Sequence, residues 1–156
     1  MGDKVKAVPD GFHTLTPHLT VRGAARAIEF YQKAFGAEVL GINQGPEGKI
    51  MHAALKIGDS ILMLNDEFPQ WGSLGPPSTG GSGVIIHMYL ENVDAGFERV
   101  ISAGATVKMP LADAFWGDRL APSWIPSDIR GHWLARLRTC PEMRSTRRGR
   151  IFSRAG

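Results

Sequence analysis

Cysteine is almost missing from this 156-residue chain: Cys140 stands alone, so no internal disulfide can form and nothing points to an oxidising compartment. Long apolar runs are missing too, since no stretch approaches the roughly 20 residues a membrane span needs. The opening residues, Met1-Gly-Asp-Lys-Val-Lys, lack the apolar core of a secretory signal, and the cytoplasm is the expected location. Lysine is absent after position 118, although nine arginines follow it. The net charge of +3 therefore conceals two regions. Residues 1–118 carry nine Lys+Arg against thirteen Asp+Glu, a net of −4, whereas 119–156 carry nine Arg against Asp128 and Glu142, a net of +7. The basic run Arg144-Ser-Thr-Arg-Arg-Gly-Arg150 has the charge to touch nucleic acid. No recognition-helix pattern or aromatic RNA-binding motif accompanies it, so it reads as a solvated or poorly ordered tail, and nucleic acid is not an expected partner.

What is present is a pattern that occurs twice. Leu15, Pro17, Leu19 and Val21 alternate with Thr14, Thr16, His18 and Thr20, which predicts a strand over 13–21. Ala24, Ile28, Tyr31 and Phe35, flanked by Ala27 and Ala34, recur at helical spacing up to Gly36, a glycine in the usual C-terminal position. A strand near 38–42 follows, then a hairpin of 50–57 and 60–64 turned at Gly58-Asp59. After the Pro/Gly/Ser-rich stretch 67–83 the order restarts, with a strand over 84–90, a helix over 93–103 stopped by Gly104, and a strand over 106–109. Shifting by 69 residues lays His18-Leu-Thr-Val on His87-Met-Tyr-Leu, and shifting by 68 lays Phe35-Gly36-Ala37 on Ala103-Gly104-Ala105. The expected fold is α+β, two βαβββ modules over 11–66 and 84–136, joined by the linker 67–83 and followed by the basic tail 137–156. The second module is irregular after 119, and its last strand or strands are in doubt.

Strand parity divides these residues between two faces. Leu19, Val21, Met51, Ala53, Leu55, Ile57, Ile86 and Met88 are expected against the helices. Thr16, His18, Thr20, His52, Ala54, Lys56, Ile85, His87 and Tyr89 are expected on the concave side. Three of five histidines thus share one predicted hollow, and imidazole suits both metal binding and proton transfer. No carboxylate is placed beside them; Asp66 and Glu67 read as loop residues.

Thr16-Pro-His-Leu-Thr-Val-Arg, Ala27-Ile-Glu-Phe-Tyr-Gln-Lys-Ala-Phe-Gly-Ala-Glu and His52-Ala-Ala-Leu-Lys-Ile-Gly-Asp-Ser-Ile-Leu-Met-Leu resemble the vicinal oxygen chelate superfamily, in its PhnB-like glyoxalase/bleomycin-resistance branch. Val93-Asp-Ala-Gly-Phe, Ala103-Gly-Ala-Thr-Val and Phe115-Trp-Gly-Asp-Arg119 extend the likeness over 11–119. The resemblance implies an open barrel of paired modules, a homodimer, and in many relatives a divalent metal such as Zn, Ni, Mn or Fe. Of the family's metal positions, the third-strand one falls on His52, six residues before Gly58. The first-strand one falls on Thr16, the one opening the second module on Ile85, and the glutamate of the last strand has no counterpart. The resemblance therefore argues against lactoylglutathione lyase activity and leaves a displaced set, His18, His52 and His87, as the metal candidate.

Relatives continue Trp-Gly-Asp-Arg with Tyr-Gly and Asp-Pro-Phe-Gly-His-x-Trp before a final strand. Here Leu120-Ala-Pro-Ser-Trp-Ile-Pro-Ser-Asp-Ile-Arg-Gly-His-Trp133 stands instead, with Pro122 and Pro126 against any strand. A shift of reading frame near codon 120 and a genuine replacement tail are the two explanations. Two functions stand side by side. One is a small-molecule binder with its ligand in a cleft between curved sheets, contacted by Thr16, His18, His52, His87, Tyr89, Trp116 and Arg119, with Trp71 on the linker. The other is a metal-dependent lyase, isomerase or dioxygenase acting on vicinal oxygens.

Overall fold

The computed structural model describes residues 6–107, 109–113, 115, 119–120, 123–124 and 136–138. The first module comprises β1 (His18–Val21), α1 (Ala24–Phe35), β2 (Glu38–Gln44), β3 (Ile50–Ile57) and β4 (Ser60–Asp66). They form one sheet in the order β1-β4-β3-β2, with β1 parallel to β4 and the other pairs antiparallel. The β3–β4 hairpin turns at Gly58, whose φ of 59° glycine adopts without strain. Helix α1 lays Ala24, Ala27, Ile28, Tyr31 and Ala34 against the sheet, as its spacing predicts, and buries Phe30 as well. Gly36 closes it at φ 65°, its N–H reaching the Gln32 carbonyl. Leu19, Val21, Ala53, Leu55 and Leu64 form the other side of this core.

Two expectations of parity fail here. Residues 13–17 are not a strand, and Leu15 is 88% exposed, so the alternation carries meaning only from His18 onward. In β3, Asn43 faces His52 but Gln44 faces Ile50, so Met51 is skipped in a β-bulge. The bulge turns Ile50 into the core and leaves Met51 outside, the reverse of the predicted assignment for Met51.

The linker carries the short helix α2 (Pro76–Thr79). Beyond it lie β5 (His87–Tyr89), α3 (Val93–Ser102), β6 (Thr106–Val107), β7 (Ala112–Asp113), β8 (Arg119–Leu120), β9 (Ser123–Trp124) and β10 (Arg136–Arg138). β5 is shorter than the pattern predicts, and among the described residues the strands pair two by two: β5 with β10 in parallel, β6 with β9 and β7 with β8 antiparallel. The parallel β5–β10 pair matches β1–β4, and the antiparallel β6–β9 pair matches β2–β3. β10 fills the last-strand position, and the expected boundary at 136/137 falls inside it. Helix α3 packs on α1, adding Val93 and Val100 to the same core, and Arg99 Nε donates to the Ala34 carbonyl at 3.5 Å. The fold is α+β. Among the described residues no helix is long and apolar enough to cross a membrane.

Candidate functional site

The face of the first sheet away from α1 holds His18 on β1, Met63 on β4 and His52 on β3. The ladder sets His18 opposite Met63 and Met63 opposite Ala54. The two imidazoles meet edge to face, ring centroids 5.5 Å apart, and His52 Nε2 lies 3.3 Å from Met63 Sδ. One step along the same strands, Thr20, Asn65 and Ser73 bond to one another: Thr20 Oγ1 lies 3.1 Å from Ser73 Oγ, and Asn65 Nδ2 donates to Ser73 Oγ at 3.3 Å. The loop carrying Ser73 thus closes one end of this face.

A cavity of about 820 Å³ opens at the other end of the sheet, between the β3–β4 turn, the segment before β1, and β5. Thr16, His87 and Tyr89, three of the predicted ligand contacts, line it together with Ile57, Ile61 and Ile85. Tyr31 and Phe35 reach it from the last turns of α1, which parity could not foresee because both occupy the buried stripe of a helix. Tyr31 is 2% exposed, and its hydroxyl has no hydrogen-bond partner among the described residues. Burial pushes this phenol far above its usual range, so it stays protonated and its O–H is available to donate.

The remaining candidates go elsewhere. His87 does not join His18 and His52: it packs on Tyr89, ring centroids 4.8 Å apart, on a strand whose ladder partner is β10 rather than β1. Arg119 does not line the cavity, because Asp94 at 2.9 Å and Asp113 at 3.1 Å hold its guanidinium. Trp71 stacks on Phe68 at 4.9 Å on the linker, away from the cavity. Trp116, with Gly131-His132-Trp133 and Cys140, lies outside the described residues. Asp66 and Glu67 are more than loop residues. The Asp66 carboxylate accepts the Gly23, Ala24 and Ile50 N–H groups at 3.0, 2.8 and 2.8 Å, capping α1 from the end of β4. Glu67 accepts from Arg22, Ser78 and the Gly75 N–H, fastening α2 to the end of β1.

A model of the Glyoxalase/Bleomycin resistance protein/Dioxygenase superfamily matches residues 11–135. The chain belongs to that superfamily. It is 49% identical over 121 residues to the protein Mb0911c of Mycobacterium bovis, covering 76% of this chain and 78% of that one. Among solved structures, TioX from Micromonospora sp. ML1 superposes with a TM-score of 0.61 at 25% identity, covering 81% of this chain and 97% of TioX. A PhnB protein from Bacillus cereus superposes with a TM-score of 0.59 at 18% identity, covering 80% and 99%. The glyoxalase/bleomycin-resistance fold is thus established, the likeness to the PhnB protein being one of fold, and the family match continues past position 119 to 135.

Members of this superfamily often use a divalent metal, but the donors described here do not fit one. The Thr16 hydroxyl donates to the His13 carbonyl at 2.9 Å, and Ile85 has no donor atom. Among the described residues no three His, Cys, Asp or Glu side chains stand together as such an ion needs, so the predicted His18, His52 and His87 set is not assembled.

Proposed function

We propose that this glyoxalase/bleomycin-resistance protein binds a planar, partly polar small molecule in the 820 Å³ cavity. The volume lies within the usual range of small-ligand sites, about 300–1,000 Å³. Isoleucines and aromatic rings supply apolar walls, and His87 and Thr16 add polar edges. The observation that carries the reading is the Tyr31 hydroxyl. A buried donor without a partner costs about 1–3 kcal/mol, a cost that a ligand acceptor would remove. Tyr89, 61% exposed at the rim, offers a ring face for stacking. The metal-dependent lyase, isomerase or dioxygenase reading lacks a fitting donor set among the described residues.

Titration with 1-anilinonaphthalene-8-sulfonate, a planar ring compound with an acceptor group, tests the site by fluorescence and thermal shift. Tyr31→Phe is expected to raise the stability of the free protein by about 1 kcal/mol while weakening probe binding roughly three- to tenfold. Ile85→Trp, which fills the mouth, is expected to abolish binding. Equal binding by all three proteins would remove the cavity from consideration.

A further inference from the structure

We propose that His18, His52 and Met63 form a binding site for a soft monovalent metal cation of the Cu(I) class. This site lies on the open sheet face and stands independently of the ligand reading for the cavity. The donor chemistry points there first. A thioether is a weak, soft ligand that hard divalent ions pass over, whereas a thioether with two imidazoles suits Cu(I). Placement comes from the strands: β1, β4 and β3 are consecutive in the sheet, so the three side chains rise side by side from one rigid surface.

The distances suit a shared ion. Bonds of about 2.0 Å to imidazole nitrogen and about 2.3 Å to sulfur, at a tetrahedral or trigonal angle, separate nitrogen from sulfur by about 3.5–3.7 Å. The His52 Nε2–Met63 Sδ separation is 3.3 Å, so a few tenths of an ångström of opening admits the ion. Two imidazoles on one metal at the same angles put their ring centres about 5.2–5.5 Å apart; His18 and His52 stand at 5.5 Å with planes at 88°, so the exposed His18 turns about its side-chain bonds to aim a nitrogen at the ion. Neither ring is committed elsewhere among the described residues: Met63 is the one polar contact of His52, and no hydrogen bond engages His18. His18 is exposed while His52 and Met63 are half-buried, leaving an approach from solvent. The arrangement needs neither the Thr16 and Ile85 positions nor a carboxylate.

Anaerobic titration with Cu(I) against bicinchoninate tests the site, in the full chain carrying Cys140→Ser so that the thiol cannot compete. One equivalent is expected to bind, with sulfur and nitrogen scatterers in the X-ray absorption spectrum of the loaded protein. Met63→Leu, which conserves volume and should fold, is expected to weaken binding roughly tenfold or more, and His52→Ala more strongly. Met109→Leu, which removes an exposed thioether outside these three strands, is expected to leave binding unchanged. An absence of one-to-one binding, a spectrum without sulfur, or Met63→Leu binding Cu(I) as tightly as its parent would each overturn the proposal.

Discussion

The described parts of the two modules repeat two strand pairings, one parallel and one antiparallel, and differ in where their buried side chains sit. In the first, four strands of four to eight residues share a continuous sheet, and Val21, Ala53, Leu55 and Leu64 are fully buried under α1. In the second, the fully enclosed side chains among the described residues are Val93 and Val100, both on α3. The second module thus borrows the first one's core through its helix. Stability should be concentrated accordingly. Leu55→Ala is expected to cost about 3–4 kcal/mol and Val100→Ala about 2 kcal/mol, read from urea unfolding followed by circular dichroism. A larger loss at Val100 than at Leu55 would invert the comparison.

The helix caps differ in the same sense. Helix α3 is capped locally, Asn92 accepting the Ala95 N–H at 3.0 Å. Helix α1 starts at Gly23, which has no capping side chain, and takes its cap from Asp66 across the fold. Because Asp66 also holds Ile50, one carboxylate ties helix to sheet. Asp66→Ala should therefore cost about 2–3 kcal/mol, and Asn92→Ala about 1 kcal/mol. Equal losses in the same denaturation assay would show that Asp66 acts as an ordinary local cap.

These contrasts also mark where sequence reading stops. Gly36, the Gly58 turn, the helix face and the alternation from His18 are local, and each was legible because its cause lies within a few residues. The repeat was legible as well: under the 69-residue shift Gly23 falls on Asn92, and these are the N-terminal caps of α1 and α3. The role of Asp66 was not, since its partners at Gly23 and Ala24 lie more than forty residues away. Nor was the bulge at Met51, because the glycine that makes room for its side chain, Gly45, lies beyond the turn and announces only the turn itself. His18 and His52 stand on one face as expected, but parity assigns a residue to a face of its own strand and cannot say which strands' faces meet, so it could not show that His87 turns to Tyr89 instead. Arg119 shows the same limit, because the acids that neutralise it come from α3 and β7.

The finest contrast is between two carboxylates held below their usual range. At Glu67 burial pushes upward, but hydrogen bonds from Ser78, Arg22 and the Gly75 N–H, with the Arg22 charge, outweigh it. At Asp94 the hydrogen bonds of Arg119 dominate over a small opposing effect of burial, with its charge adding to them. In both cases the folded pKa lies below the unfolded one. The stabilisation is therefore present above the ordinary values of 4.5 and 3.8, and is lost as pH falls through the folded values. Salt separates the two. The Asp94–Arg119 link is an exposed charge pair, so about 1 M salt should screen most of it at neutral pH. Glu67 keeps two uncharged donors, Ser78 and the Gly75 amide, which salt does not screen. In hydrogen exchange, the Gly75 amide should stay protected in high salt and lose protection on acidification below 4.5. Glu67→Gln should make that amide insensitive to pH. Protection that falls with salt but not with acid would mean that the linker is held to the first module by charge alone.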